Sequence, residues 1–525
     1  MHVILLLLLT LPVAAALICV RAPLPVARAV TAICGAACFG LVIALVPTAA
    51  HGDISGLRLL RVDALSAVFM LATGFLYGAV AVYSVGYLQA GPAGKAGKAG
   101  PAGPAGPVGP VGAAGAAGPA GAVGTAGHDH APQARYARRF WVGLNLFAWA
   151  MLAAPMMSNL ALLWVAIEVT TVISALLVAI EDTDGAAEAA WKYVLLASTG
   201  LALALLATIF VYYAGAQVLG EHYDLGFTQL LAAAPRLPRT AVQLAFVLAV
   251  LGYGTKTGLV PVHTWLPDAH SEAPTPVSAL LSGSLLAVSF YAILRFFQIA
   301  DAALGPRFPR DVLLVFGVAS LLLAMLYLFG QRDIKRLLAY SSVEHMGILA
   351  IGVSFGAPAA LAGVLLHVLG HAAAKGNAFM GAGVLVRKLG SKRITSLRGG
   401  LDLLPWSGPL FLLALFALGA MPPFGLFRSE FEIVTGGLDS GSYAAAAILI
   451  VGVTVAFFGL AGSLTRAAML PAAGGTAPVR GEPSGWMVVP VVAGALALLL
   501  LGVHPPAELT DLFGRAVTLL GGRTS

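Results

Sequence analysis

Residues 241–261, AVQLAFVLAVLGYGTKTGLVP, combine an apolar run long enough to cross a bilayer, a lysine inside that run, and a Gly/Pro interruption beside the lysine. A bilayer core about 30 Å thick needs about 20 residues of helix rising about 1.5 Å each. A cation at that depth costs at least about 2.5–3.5 kcal/mol even on lenient insertion scales, so Lys256 is expected to face a bundle interior. The interruption frees backbone groups that are tolerated at depth only beside protein or a wet cavity.

The rest of the chain repeats this pattern. Of 525 residues, 59% are hydrophobic and 10% charged, against about 25% charged in an ordinary soluble domain. Fourteen apolar runs follow one another, the first of them at the very start, where MHVILLLLLTLPVAAALICV lacks the basic flank of a cleaved signal and reads as a retained span. The twelfth run is broken like the seventh, at GAMPPFGLFRSE (residues 419–430). The sequence therefore predicts an all-α polytopic membrane protein of about 14 transmembrane helices, with helices 7 and 12 broken. Paired breaks in corresponding places suggest two repeats, each with an ion site at its broken helix.

The net charge of +7 does not indicate a nucleic-acid partner, because the basic residues fall in loops rather than on one soluble face. Seventeen Lys and Arg fall in one set of loops, including Lys335, and nine in the other with the tail, including Arg295. That bias places the first set in the cytoplasm and both termini outside, in the inner membrane of a prokaryote. Cys19, Cys34 and Cys38 lack the paired spacings of zinc, haem or iron–sulfur sites. No metal site and no cofactor is expected on this chain. Between residues 91 and 127 glycine recurs at every third position. This is the collagen pattern, read here as a disordered cytoplasmic insertion that cannot bury enough apolar surface to order itself.

Placing 26 of the 30 Lys and Arg in loops leaves Lys192, Lys256, Lys375 and Arg428 inside predicted helices, with Glu168, Glu430 and Glu432. His367, His371 and Lys375 recur every four residues in HVLGHAAAK, so they share one helix face over about 12 Å and form a relay stripe. A carboxylate at contact distance from a buried lysine is worth up to about 4 kcal/mol at an effective dielectric near 20. Driving one proton across the membrane takes about 2.3 kcal/mol per 100 mV. A Lys/Glu pair that closes and opens is therefore strong enough to load, unload and gate a proton.

WVAIEVTTVISALLVAIED, EAAWKYV, GYGTKTGLVPVHTWLPDAHSEAPTPVSALLSG, DIKRLLAYSSVEHMG, HVLGHAAAKGNAFM and LFRSEFEI together resemble the antiporter-like proton-pumping subunits of respiratory complex I and related hydrogenases, most of all component F of hydrogenase-4. The resemblance covers nearly the whole chain outside the glycine-rich insert. It implies two inverted five-helix repeats, spans 4–8 and 9–13, and the organisation 1–90 (helices 1–3), 91–135 (Gly-X-Y loop), 136–300 (first repeat), 301–470 (second repeat) and 471–525 (helix 14 and tail). It implies that Glu168 and Lys256 form the ion pair of the first half-channel with Lys192 beside them. It further assigns His367, His371 and Lys375 to the second half and Glu430 to the exit. His263, Glu344 and His345 in the quoted motifs, and Arg428, are further candidates. Where relatives carry a lysine in helix 8 this chain has Ala287, so transfer between halves would fall to water, Ser284, Ser289 or a histidine.

Three functions compete at this stage. One is a proton-pumping subunit driven by other membrane subunits and a peripheral electron-transfer arm. Another is a cation/proton antiporter subunit, moving protons and possibly sodium. The last is a structural membrane anchor. Deleting residues 91–127 is expected to leave assembly and proton transfer nearly intact, because a flexible loop changes length at little closure cost. Complex assembly on native gels checks this, and its loss would make the insert a docking element.

Overall fold

The computed structural model describes residues 1–56, 59–89, 130–464 and 480–522. Three helices come first, α1 (His2–Arg21), α2 (Leu24–His51) and α3 (Ala64–Gln89). The next group is α4 (His130–Ala153), α5 (Leu160–Val178), α6 (Asp184–Leu219), α7 (Phe227–Ala233), α8 (Arg239–Thr257), α9 (Trp265–Glu272), α10 (Thr275–Leu280) and α11 (Leu286–Leu304). Then come α12 (Arg307–Leu328), α13 (Ile334–Phe355), α14 (Pro358–Leu389), α15 (Gly400–Leu403), α16 (Ser407–Leu418), α17 (Gly425–Asp439) and α18 (Tyr443–Leu464). α19 (Gly485–Val503) and α20 (Ala507–Leu519) close the chain. A short antiparallel pair, Ile54–Gly56 with Leu60–Val62, is the one sheet among the described residues.

Among the described residues, eleven helices are long and apolar enough to cross a membrane. The other three sequence-predicted spans fall on α4, on α8, and on the pair α16 and α17. α4 starts well before the apolar run that announced it, because its first turns, HAPQARYARR, are polar. The boundary at 135/136 falls inside α4, and the one at 300/301 inside α11. The Gly-X-Y segment 91–127 lies outside the described residues.

Local chemistry sets the ends of these helices. The side chains of Asn159, Thr183 and Asp333 accept the free backbone N–H groups at the starts of α5, α6 and α13. α8 stops at Gly258, whose φ of +88° suits glycine, and the chain resumes as α9 after Pro261. The second predicted break falls between α16 and α17, at Pro422 and Pro423. α8 packs on α6, and α17 packs on α14. A Cβ on Gly252 would stand 2.6 Å from the Gly200 carbonyl oxygen, and one on Gly363 would stand 2.7 Å from that of Ser429. Small residues at these crossings let backbones touch, which is how helices associate where no hydrophobic drive separates them from lipid.

The middle of the molecule is the continuous helix Thr275–Leu304, buried along its whole searched window. Arg295 on it is not the loop residue the charge count assumed. Its guanidinium lies 2.7 Å from both carboxylate oxygens of Asp63 and also reaches Tyr291, Gln298 and Ser66. Gln298 in turn donates to the Leu519 carbonyl, which ties down the end of α20. Burial opposes ionisation of Asp63, but the guanidiniums of Arg295 and Arg61 outweigh it and hold the carboxyl at about 2. Lys335, also counted as a loop residue, is buried on α13 against the Ser271 and Ala273 carbonyls. Hydropathy reports depth only to within a few residues, so polar side chains at span ends were assigned to water.

Breaking a buried pair from one side costs about 3–5 kcal/mol. Arg295→Met should therefore lower the thermal midpoint of the solubilised protein strongly, and Asp63→Asn with Arg295→Met should recover most of the loss. Equal losses in single and double variants would show that the orphaned charge is not the cause.

Candidate functional site

Lys256 sits in the last turn of α8, fully buried beside the break. Its ammonium donates to the Ile167 carbonyl at 2.8 Å and the Thr171 hydroxyl at 2.5 Å, both on α5. Ile167 and Thr171 are one turn apart and share the face that meets α8; Glu168, about 100° further round, does not. The expected Glu168–Lys256 ion pair is accordingly not made within 4.0 Å, and Glu168 Oε2 is buried without a hydrogen-bond partner. Lys192 is paired elsewhere. It stands in the early turns of α6, 44% exposed, paired with Glu188 at 2.5 Å and Asp268 at 3.6 Å. Leu195 and Leu196, one turn further on the same face, are exposed as well.

From Lys256 a polar seam continues through the buried central helix. Ser289 donates to the Tyr253 carbonyl at 2.9 Å, one turn before Lys256. Ser284 pairs with Thr73 of α3 at 2.7 Å, and Ser282 with Ser342 of α13 at 2.7 Å. Ser282 and Ser284 lie in a π-helical turn, Leu281–Leu285, the kind of local widening often found at functional sites. Ala287 is buried on the same helix, one turn from Ser284.

The seam reaches Lys375 on α14, which is fully buried and donates to the Leu338 carbonyl of α13 at 2.9 Å. Glu344, His345, His367 and His371 are buried around it. The hydrogen-bond network assigns the tautomers. Ser429 donates to the Leu426 carbonyl, so its oxygen is left to accept from His367 Nδ1–H at 3.0 Å. The lone pair of neutral His367 is then on Nε2, where it accepts from His345 Nδ1–H at 3.1 Å. His345 Nε2 is consequently a bare acceptor, and it is buried without a partner. Both ring nitrogens of His371 and Oε1 of Glu430 share that condition. A proton reaching His345 Nε2 can release the Nδ1 proton to His367, and His367 can release its own towards Ser429, next to Glu430.

The remaining candidates separate from this file or join it less directly. Arg428 pairs with Glu432 at 2.9 Å, one turn along α17, and both are partly exposed. Glu430, between them in sequence, turns inward. His263 is buried with Nδ1 unpartnered. The sequence reading passed over His270, which is fully buried between Trp265 and Phe379 with neither ring nitrogen bonded. Its only signal was a histidine two residues after Asp268 in a Pro-rich segment. Thr73, Thr171, Ser282 and Ser342 carried no signal, since hydroxyls are common on transmembrane helices.

Residues 157–458 match the model of the family described as "NADH:quinone oxidoreductase/Mrp antiporter, TM". A hydrogenase-4 component F homolog of Methylacidiphilum infernorum is 35% identical over 395 residues, which is 75% of this chain and 81% of that protein. The fold is similar to a chain of the Mrp complex from Dietzia sp. DQ12-45-1b, with a TM-score of 0.80, 20% identity, and 99% and 98% of the two chains covered. A chain of respiratory complex I from Thermus thermophilus with bound NADH gives a TM-score of 0.77, 24% identity, and 99% and 100% coverage.

Installing Ala287→Lys should be tolerated, because the new ammonium would stand one turn from the Ser284–Thr73 pair, and its cost should fall below the roughly 3 kcal/mol of a lipid-facing lysine. Membrane assembly and proton flux of the variant check this. Failure to assemble would place residue 287 in a dry apolar core.

Proposed function

The chain belongs to the membrane-subunit family of NADH:quinone oxidoreductases and Mrp antiporters, and from that premise we propose that it is the proton-translocating subunit of a redox-driven complex of hydrogenase-4 or NADH:quinone oxidoreductase type. One observation carries the reading: Lys256, Ser289, Ser284, Ser282, Ser342, Lys375, the histidines and Glu430 are all buried on the central helix and the helices around it, most of them bonded only to near neighbours. Several of them lack the partners that a purely structural role would require. Lys256 and Lys375 are the proton carriers in this reading, Glu168 the group that approaches and leaves Lys256, and Glu430 the exit.

The relation between halves supports two repeats. α5 lies on α6 and α6 on α8, as α13 lies on α14 and α14 on α17. In the inverted-repeat reading, Glu168 then corresponds to Glu344 and Lys256 to Glu430. Other membrane subunits would flank this chain, and a peripheral arm would carry the redox cofactors, with none on the chain itself. The setting is the cytoplasmic membrane of a prokaryote, with both termini outside. The likeness to the Mrp complex keeps a second reading in view, a subunit of a multisubunit cation/proton antiporter moving sodium against protons.

In proteoliposomes holding the whole complex, Lys256→Ala and Glu168→Gln are each expected to abolish proton uptake measured with a pH-sensitive dye, while Glu168→Asp retains part of it. Removing the cation carrier or the carboxylate that acts on it leaves the first half without a switch. Wild-type flux in Lys256→Ala would refute the assignment. Flux that needs sodium rather than electron transfer would favour the antiporter.

A further inference from the structure

We propose that His345, His367 and Glu430 form a binding site for a Zn²⁺ ion, and that the bound ion blocks proton transfer. The block, though not the binding, rests on the function proposed above. The three residues come from α13, α14 and α17, all are buried, and one donor atom of each lies within 4.8 Å of the others. His345 Nδ1 and His367 Nε2 are 3.1 Å apart. Ligand atoms on a tetrahedral zinc, with bonds of about 2.0–2.1 Å, are about 3.3 Å from one another. The two imidazoles thus already stand at nearly the spacing a shared zinc imposes.

The surroundings favour an ion over a closed polar cluster. Ser429 accepts the Nδ1–H of His367 and is itself anchored on the Leu426 carbonyl, which turns the Nε2 lone pair inward. Such an outer contact is what metal-ligating histidines usually have. Glu430 Oε1 is buried without a hydrogen-bond partner. His371 stands beside the site, with neither nitrogen bonded and its ring centre 5.1 Å from that of His345. Two imidazoles and a carboxylate form a zinc ligand set, whereas magnesium and calcium require oxygen ligands throughout. Glu430 also lines a cleft of ≈ 540 Å³ together with Met421, Phe427 and Phe457.

The chemistry makes the ion and the proton alternatives. Coordination by His345 Nδ1 requires the ring's one N–H to sit on Nε2, the opposite tautomer from the one hydrogen-bonded to His367. The Nδ1–H···Nε2 link is then replaced by two metal–nitrogen bonds, and no proton can pass between the rings.

The test uses the full chain, purified and reconstituted, with Zn²⁺ alone as the probe. Competition against a chromophoric chelator should give one tight site per chain, and zinc-edge X-ray absorption should show scattering from two imidazoles. His345→Gln and His367→Gln should each weaken binding about 100-fold or more, and Ser429→Ala by about 10–100-fold, as outer-contact losses do. His504→Gln, at an exposed position, should change nothing. Absence of a tight site in the wild-type chain, or bound zinc without imidazole scattering, overturns the proposal whether or not the variants fold. Full binding in the His345→Gln, His367→Gln double variant also overturns it. Zinc that binds there without slowing proton flux would leave the site standing and refute the relay. Loss of flux in His367→Gln with no zinc binding in the wild type would do the reverse.

Discussion

A polar group inside a bilayer-spanning bundle has no water to fall back on, so each must find its partner within the protein or remain unsatisfied at a cost of several kcal/mol. The architecture follows from how this chain meets that demand. The helix Thr275–Leu304, π turn included, is buried from Thr275 to Ala300 and gathers its polar residues onto faces that meet α3, α8 and α13. The outer helices, α1, α2, α6 and α18 among them, present large apolar side chains outward and carry little polarity.

Two kinds of buried polarity can be told apart by how completely they are satisfied. Asp63 and Arg295 leave almost nothing unpaired, and their network ties α3 to the central helix and to the end of α20. Asn145 is similar, bonded to Thr31 and Tyr77 at the meeting of α2, α3 and α4. These groups hold helices together. His270, His371, His345 and Glu430 are different, because each keeps a buried donor or acceptor without a partner. Of these, His345, His371 and Glu430 lie on α13, α14 and α17, three helices that pack on one another. A site that must accept and give up protons needs such unfilled places, since a fully satisfied network offers a proton nowhere to go.

The breaks serve this arrangement. α8 ends one residue after Lys256, and α17 begins five residues before Glu430. Close glycine crossings, Gly252 against Gly200 and Gly363 against Ser429, press each broken helix onto its neighbour. The backbone of the first break is covered at Gly258 and Leu259, whereas Met421, Pro422 and Pro423 of the second are exposed and partly line the cleft beside Glu430.

The sequence by itself determined that this chain is a helical membrane protein, where its two broken helices fall, and that Lys256, Lys375, His367, His371 and Glu430 are buried, because a titratable residue amid apolar neighbours has few other places to be. It did not determine which face each helix turns inward. Lys192 has the same apolar neighbours as Lys375, yet it stands near the start of α6, where Glu188 and Asp268 reach it. Lys256 was expected on Glu168 but rests on Ile167 and Thr171, since the rotation of α5 about its own axis turns one face out of several that the periodicity allows towards the lysine. The pairing of Asp63 with Arg295 joins residues 232 positions apart. The convergence of His345, His367 and Glu430 needs three helices to meet at one depth. Local propensity and hydropathy act over one helix at a time, whereas these contacts are fixed by the rotation and offset of whole helices against one another, and only the tertiary structure decides those.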